Sequence, residues 1–353
     1  MRFKYKNLFL VLALSWLSSC IKPYDLEVEE QEKLLVVNGM ITDEPGPYTV
    51  NLTTTFKYGS YFSDISPSVQ QATVTITDET GFSVKLAEKY PGVYQTDSSA
   101  IRGRVGGRYT LRVNLRDGKQ YVSETEELRS APPIGRLYAR LKPVVMVNER
   151  NDQVTVNYVS ILVDTKDPGN ERNFYRWTMN NTYEVTTQPG NFMGVDRNGR
   201  PVPAPKDCCH QCWISEKNTV GNVLSDLQFN GNALIAREIT NIPFKPQYFQ
   251  NKHFVEVRQL AISEGAYNFW KTLDDQIAGT GSVQEPAPAN AVSNIKNEAN
   301  EQEQVLGYFS AAGASKKSFF IQPFDFGVYA GSFVFPDDCR LINGATTKRP
   351  SFW

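Results

Sequence analysis

The chain has 353 residues with 37 Lys plus Arg against 38 Asp plus Glu, a formal net charge of −1, so long-range electrostatics select no polyanionic partner and no nucleic acid is expected as a ligand. At 41% hydrophobic, 12% aromatic and 21% charged, the composition is that of a folded chain rather than a disordered, collagen-like or multi-spanning one. Two histidines, His210 and His253, argue against an enzyme built on an imidazole cluster, and 24 Gly with 20 Pro point to many turns.

Residues 1–7 carry Arg2, Lys4 and Lys6, and residues 8–17 (LFLVLALSWL) are apolar apart from one serine. A basic start, a short apolar run and small residues in that order predict a signal peptide over residues 1–19. The apolar run is about half of the roughly 20 residues that a bilayer-spanning helix needs. It ends in Leu17-Ser18-Ser19-Cys20, which resembles a bacterial lipobox, with Cys20 as the lipidated residue and mature N-terminus. Each buried acyl methylene contributes about 0.8 kcal/mol, so a multiply acylated cysteine holds a chain to a membrane with no crossing segment. Residues 20–33, which include Asp25, Glu27, Glu29, Glu30 and Glu32, are expected to form a solvated acidic tether.

Period-two runs predict strands at 34–41, 48–55, 72–77, 82–87, 92–96, 108–115 and 120–124. The connections, such as DEPGP at 43–47, DETG at 78–81 and Asp117-Gly118, hold Pro that presets φ and Gly that accepts positive φ. This pattern predicts an N-terminal antiparallel β-sandwich over residues 34–130, immunoglobulin-like or transthyretin-like. Ser130-Ala131-Pro132-Pro133-Ile134 reads as a stiff linker. Beyond it, strands are predicted at 137–147, 154–163, 174–186, 254–262, 305–309, 318–323 and 327–335, with a long loop over 188–212. One helix is predicted near 264–278, with Ser263 as its N-cap, Gly279 as its end and Ala266, Trp270, Leu273 and Ile277 on one face. Trp270 on that stripe is expected to pack against a sheet. Residues 279–300 read as an exposed excursion. The expected fold class is therefore mainly β: two antiparallel β-sandwich-like domains, 34–130 and 131–353, with one short helix in the second.

Beyond Cys20 there are four cysteines: Cys208, Cys209, Cys212 and Cys339. An even number in an oxidising compartment suggests disulfides, and four allow three pairings. A Cys208–Cys209 bridge needs a strained vicinal ring, so the favoured reading is one bond from the cluster to Cys339, with Cys212 as partner. That bond closes a loop of about 130 residues and contributes roughly 2 to 5 kcal/mol. A zinc site is disfavoured because the thiols are packed more closely than a two-plus-two knuckle. A redox CxxC is disfavoured because Pro201, Pro203 and Pro205, rather than a strand, lead into the cluster. No metal and no cofactor is expected.

No G-x-S-x-G, H-E-x-x-H or phosphate-binding loop occurs. His253 opens a predicted strand and reads as a surface residue. Asp274-Asp275 and Asp337-Asp338 are adjacent pairs that point to different sides. Residues 196–200 (DRNGR) lack the later carboxylates of a calcium loop and read as a turn. Phe192, Trp213, Tyr248 and Phe249 are candidates for stacking on a sugar or peptide, although scattered exposed aromatics are also ordinary. No catalytic residue is assigned, and the protein is expected to bind rather than catalyse.

Five strings are familiar together: LLVVNGMITDEPGPYTV after the lipobox, GRVGGRYTLRV, SEGAYNFWKTL, VLGYFSAAGASKKSFFI, and Cys339 followed by a terminal RPSFW. They resemble the Bacteroidota lipoprotein family catalogued as domain of unknown function 4249, over nearly the whole stretch from Cys20 to Trp353. The resemblance implies an outer-membrane lipoprotein, facing the surface or the periplasm, whose partners are the membrane and a TonB-dependent receptor in nutrient uptake. The rival expectations are a structural or adhesion lipoprotein without a small ligand and a secreted hydrolase centred on His210 or on convergent carboxylates. The family supplies no catalytic residues to carry over.

Overall fold

In Leu35–Thr42 the side chains of Leu35, Val37 and Ile41 turn inward while Asn38 faces out, the alternation of a pleated strand. This is β1 of the computed structural model, which describes residues 33–55, 67–169, 171–218, 222–278, 290–335 and 337–353. Cys20, the signal segment, the tether up to residue 32 and Gly279 lie outside the described residues. Seven more strands follow: β2 (Thr49–Thr54), β3 (Thr73–Asp78), β4 (Ser83–Tyr90), β5 (Val93–Gln95), β6 (Arg108–Asn114), β7 (Gln120–Ser123) and β8 (Glu126–Glu127). Only the two-residue β8 is absent from the sequence-based set.

The second half begins with the long hairpin β9 (Ile134–Val147) and β10 (Gln153–Lys166), then β11 (Phe174–Thr186). The hairpin β12 (Met193–Val195) and β13 (Pro201–Pro203) occupies the long loop, followed by β14 (Gln211–Asn218), β15 (Val223–Ser225) and β16 (Ala233–Pro243). A single helical turn, α1 (Pro246–Phe249), precedes β17 (His253–Ala261) and the helix α2 (Glu264–Ala278). The chain ends with β18 (Ile295–Asn297), β19 (Leu306–Ile321) and β20 (Ala345–Thr346). The fold is mainly β, built from antiparallel sandwich layers.

Late residues return to the N-terminal strands. β18 pairs with β7 through Ile295↔Ser123, and the first half of β19 runs parallel to β1 from Val36↔Leu306 to Thr42↔Ala312. Ile295, Val305, Phe309 and Ala311 thereby share one core with Val37, Leu52, Ile76, Tyr109 and Leu128. The second half of β19 continues antiparallel to β17, so one strand serves both halves. The sequence reading places two strands, at 305–309 and 318–323, where β19 is one continuous strand. Its small residues permit close packing. A Cβ on Gly313 would stand 2.2 Å from the Arg129 carbonyl oxygen, and Gly307, at φ +90°, has the Val37 carbonyl 1.9 Å from where a Cβ would sit.

β11, β17 and β19 pack one face against β9, β10 and β16. Tyr175, Trp177, Val255, Val257 and Ile321 meet Ile134, Val159, Ile161, Val163, Ile239 and Ile242 there, as in a face-to-face sandwich. Residues 327–335 form no strand, contrary to the period-two reading, because Gly327 and Gly331 take positive φ (71° and 98°) and break the extended run. Phe335 keeps only an isolated bridge to Thr187.

In α2 the Ser263 hydroxyl accepts from the Ala266 amide at 3.2 Å, as a cap should. The buried stripe is Ala266 and Phe269, flanked by Trp270 and Leu273, whereas Ile277 is 66% exposed. Contact with the sheet stops before the last turn, which corrects the expected stripe.

Candidate functional site

Cross-strand partners in a pleated sheet project to the same face. The register pairs Arg176 with Leu260, Thr178 with Arg258 and Asn180 with Glu256, then Arg258 with Lys316. On the other side of β19, Met40 pairs with Ser310 and Asn38 with Asn51. These residues therefore stand on the face opposite the packed one. All of them except Glu256 and Ser310 line a cavity of about 760 Å³ together with Thr49, Glu44, Lys217 and, from α2, Trp270.

Two contacts fix α2 above the sheet. Phe269 packs on Tyr308 with ring centroids 5.3 Å apart. Glu126 of β8, a buried carboxylate, accepts hydrogen bonds from the Ser263 and Tyr308 hydroxyls, each at 2.8 Å. Burial raises the Glu126 pKa and those hydrogen bonds oppose the rise. Trp270 is thereby held at the groove wall. On its other side it lines a smaller apolar cavity of about 420 Å³ with Val36, Leu273 and Leu306.

The groove is electropositive. Arg176, Lys217, Arg258 and Lys316 line it against a single lining carboxylate, Glu44. Glu44 accepts a hydrogen bond from Arg258 and lies 3.8 Å from the Lys316 ammonium. Glu256 shares the sheet face but lies outside the lining. Arg176 is 3% exposed, and its guanidinium lies 3.5 Å from the centroid of the Trp270 ring, a contact contributing about 2 kcal/mol where desolvated. Burial lowers its pKa to about 10, with Asp274 acting in the opposite sense, so the side chain is charged at neutral pH. The arrangement offers fixed cations, carboxamides and hydroxyls on rigid strands: it can hold an anionic, hydrogen-bonding ligand.

The cysteines lie elsewhere, at the end of β11. Cys212 and Cys339, both fully buried, have sulfurs at disulfide distance and Cα atoms 5.9 Å apart. Cys208 and Cys209 also have their sulfurs at bonding distance across a cis peptide, the vicinal arrangement that the sequence reading passed over. The four sulfurs thus lie as two pairs at disulfide distance. The Cys209 carbonyl accepts from the Thr187 hydroxyl and the Cys339 amide, so the cluster is knitted to β11 and to the C-terminal segment. β20 then pairs with β14, Phe352 stacks on Phe254 at 4.1 Å, and Trp353 meets Phe320, Trp213 and Lys252. The terminal RPSFW is a packed strap on the same sheet face as the groove.

His253 is not a surface residue. It starts β17 on the core-facing side, fully buried, stacked between Tyr183 and Phe249 with its Nδ1 3.1 Å from the Tyr248 carbonyl. Burial pushes its pKa down to about 4. Among the candidate aromatics, Trp213 and Phe249 are buried and Phe192 lies under the Lys206 ammonium at 4.0 Å, so they serve packing. Asp274 and Asp275 diverge, Asp275 pairing with Lys271 at 3.0 Å. Asp337 pairs with Lys206, while hydrogen bonds from Arg340 hold Asp338 down to about 2. The Asp196 carboxylate caps the amides of Asn198 and Arg200, a turn.

None of the groove residues except Trp270 was singled out from sequence. The available signal was an arginine inside an otherwise apolar strand, as in FYRWTM and FVEVRQLA: a charge on a buried strand needs a reason. Among the described residues no helix is long and apolar enough to cross a membrane. A comparison with curated proteins returns no match. The family model described as Domain of unknown function (DUF4249) matches residues 21–318, most of the chain, and the protein belongs to that family.

Proposed function

We propose that this protein is a lipid-anchored outer-membrane binding protein that serves a TonB-dependent receptor in nutrient uptake, holding its ligand rather than transforming it. The observation that carries the reading is the groove: a 760 Å³ cavity, of a size typical for small-molecule sites, whose polar groups are fixed by strand register. Rigid placement of donors favours recognition, since little side-chain entropy is lost on binding. Cys20 supplies the anchor, the acidic stretch after it supplies reach, and the groove presents the ligand.

The test is affinity recovery of the tagged lipoprotein from solubilised outer membranes, with Cys20→Ala as the control expected to lose membrane attachment. Stoichiometric recovery of a TonB-dependent receptor supports the accessory role. Membrane attachment without any stoichiometric partner overturns it in favour of a free-standing adhesion or structural lipoprotein.

A further inference from the structure

We infer that the groove binds a phosphate monoester, seated over Thr178 and Asn180 between Lys217 and the Arg258–Lys316 pair, with the Glu44 carboxylate as a built-in competitor; this rests on the reading of the groove as a ligand site.

Strand register gathers the cations. On β11 the successive same-face residues Thr178 and Asn180 stand opposite Arg258 of β17 and Lys217 of β14 respectively, and Arg258 stands opposite Lys316 of β19. Adjacent strands lie about 4.8 Å apart and same-face neighbours about 6.8 Å apart, spans that Lys and Arg side chains bridge. Cations from three strands therefore surround two small polar side chains. Arg176, packed on Trp270 and acted on by Asp274, takes no part.

Most donors at this spot are uncommitted. Thr178 and Asn180 are half-buried, and their side chains make no hydrogen bond within the described residues. Lys217 is exposed and has no ion-pair partner among them. Lys316 lies 3.8 Å from Glu44, beyond hydrogen-bond length, so its three N–H groups are free within the described residues. Arg258 alone donates, through Nη2 to Glu44.

Charge and donor count select the ligand group. The three positive charges of Lys217, Arg258 and Lys316, less the one negative charge of Glu44, leave two among these lining groups. Glu256 shares the face but stands opposite Ser318, outside the lining. A phosphate monoester carries about −1.5 to −2 at pH 7 and three acceptor oxygens, which matches both the charge and the several donors. A single carboxylate would leave one positive charge and part of the donor set unmatched. Thr49, Asn51 and Asn38 continue the polar lining away from this spot. They donate and accept, and so suit a hydroxyl-bearing body on the ester.

The experiment is calorimetric titration of the intact lipoprotein in a non-ionic detergent. The probes are glycerol phosphate, glucose phosphate and dihexanoyl phosphatidic acid, with glycerol, glucose, dihexanoyl phosphatidylcholine and inorganic phosphate as controls. At least one monoester should bind about tenfold or more tightly than its control. Lys217→Gln and Lys316→Gln, both at exposed side chains, should each weaken it several-fold and lower its salt dependence. Glu44→Gln, which removes the competing carboxylate, should tighten it about tenfold. A loss of structure could weaken binding but not strengthen it, so the opposite signs of the variants separate the site from a folding defect.

Binding of the soluble esters assigns the phosphate to a diffusible ligand, and binding of phosphatidic acid alone assigns it to a lipid headgroup; both support the inference. Equal affinity for esters and their controls overturns it, as does inorganic phosphate binding as tightly as every ester. Unchanged or weaker binding in folded Glu44→Gln overturns it too, as does a lack of binding by all three esters. If a TonB-dependent receptor still co-purifies stoichiometrically in that last case, only the ligand class falls; if an ester binds and no receptor is recovered, only the accessory role falls.

Discussion

The two faces of the sheet formed by β11, β17 and β19 are made from the same strands and differ in almost every property. Along β11, Tyr175, Trp177 and Met179 enter a core, while Arg176, Thr178 and Asn180 line a groove. The core face is closed by a second sheet and tied by a buried polar chain: the Trp177 indole donates to Gln259, and Gln259 donates to Thr165 and to the Pro132 carbonyl. Among the described residues the groove face is covered at its ends, by α2 and by the aromatic strap. Alternate residues of one strand can thus be assigned to stability and to binding with no conflict between them, because the pleat separates them completely.

The sharpest way to break this comparison is on the core face. Trp177→Ala should cost about 3 to 5 kcal/mol in denaturant unfolding, since it opens a cavity and strands Gln259. A loss under 1 kcal/mol would mean that this face is not a packed core. Slightly smaller is the expected effect of Cys212→Ser, about 2 to 5 kcal/mol from releasing the long loop to Cys339. The free Cys339 thiol should become alkylated in the variant and not in the parent, where peptide mapping should also return the 212–339 crosslink.

Next comes pH. The unfolded chain protonates His253 below about pH 6.5, whereas burial keeps the folded form neutral until about pH 4. The folded pKa is depressed, so the stability is fully present above 6.5 and lost as pH falls through this window, by at most about 3 kcal/mol. His253→Phe, which preserves the stack between Tyr183 and Phe249, should flatten that part of the urea-midpoint profile; an unchanged slope would contradict the assignment.

The smallest effect belongs to the groove face. Lys217→Gln should leave stability within about 0.5 kcal/mol, as for ordinary surface changes, while ligand affinity falls. A loss above 1 kcal/mol would show that the groove face carries structural load as well.

The strands were legible because each obeys a local rule. Residues 108–115 alternate Tyr109, Leu111 and Val113 against polar neighbours, and all three are buried. Short pieces such as β15 and β18 escaped because three residues cannot display a period. His253 was misjudged because a strand position does not state which face it takes. The groove was illegible for a different reason: its members come from β1, β2, β11, β14, β17, β19 and α2, and each by itself reads as the polar half of an amphipathic pattern.

What the sequence determined by itself was the class of fold, the position of most strands though not of β14 or the eleven-residue β16, the cap and extent of the helix and the family. These depend on neighbours within a few residues, through side-chain alternation, turn chemistry and capping. Tertiary structure alone decided that residues 295–312 complete the N-terminal core, that the segment around Gly313 is continuous strand, and that Arg176, Arg258 and Lys316 converge on one groove. Those outcomes depend on pairing between residues far apart in the chain, where register and not composition chooses which side chains meet.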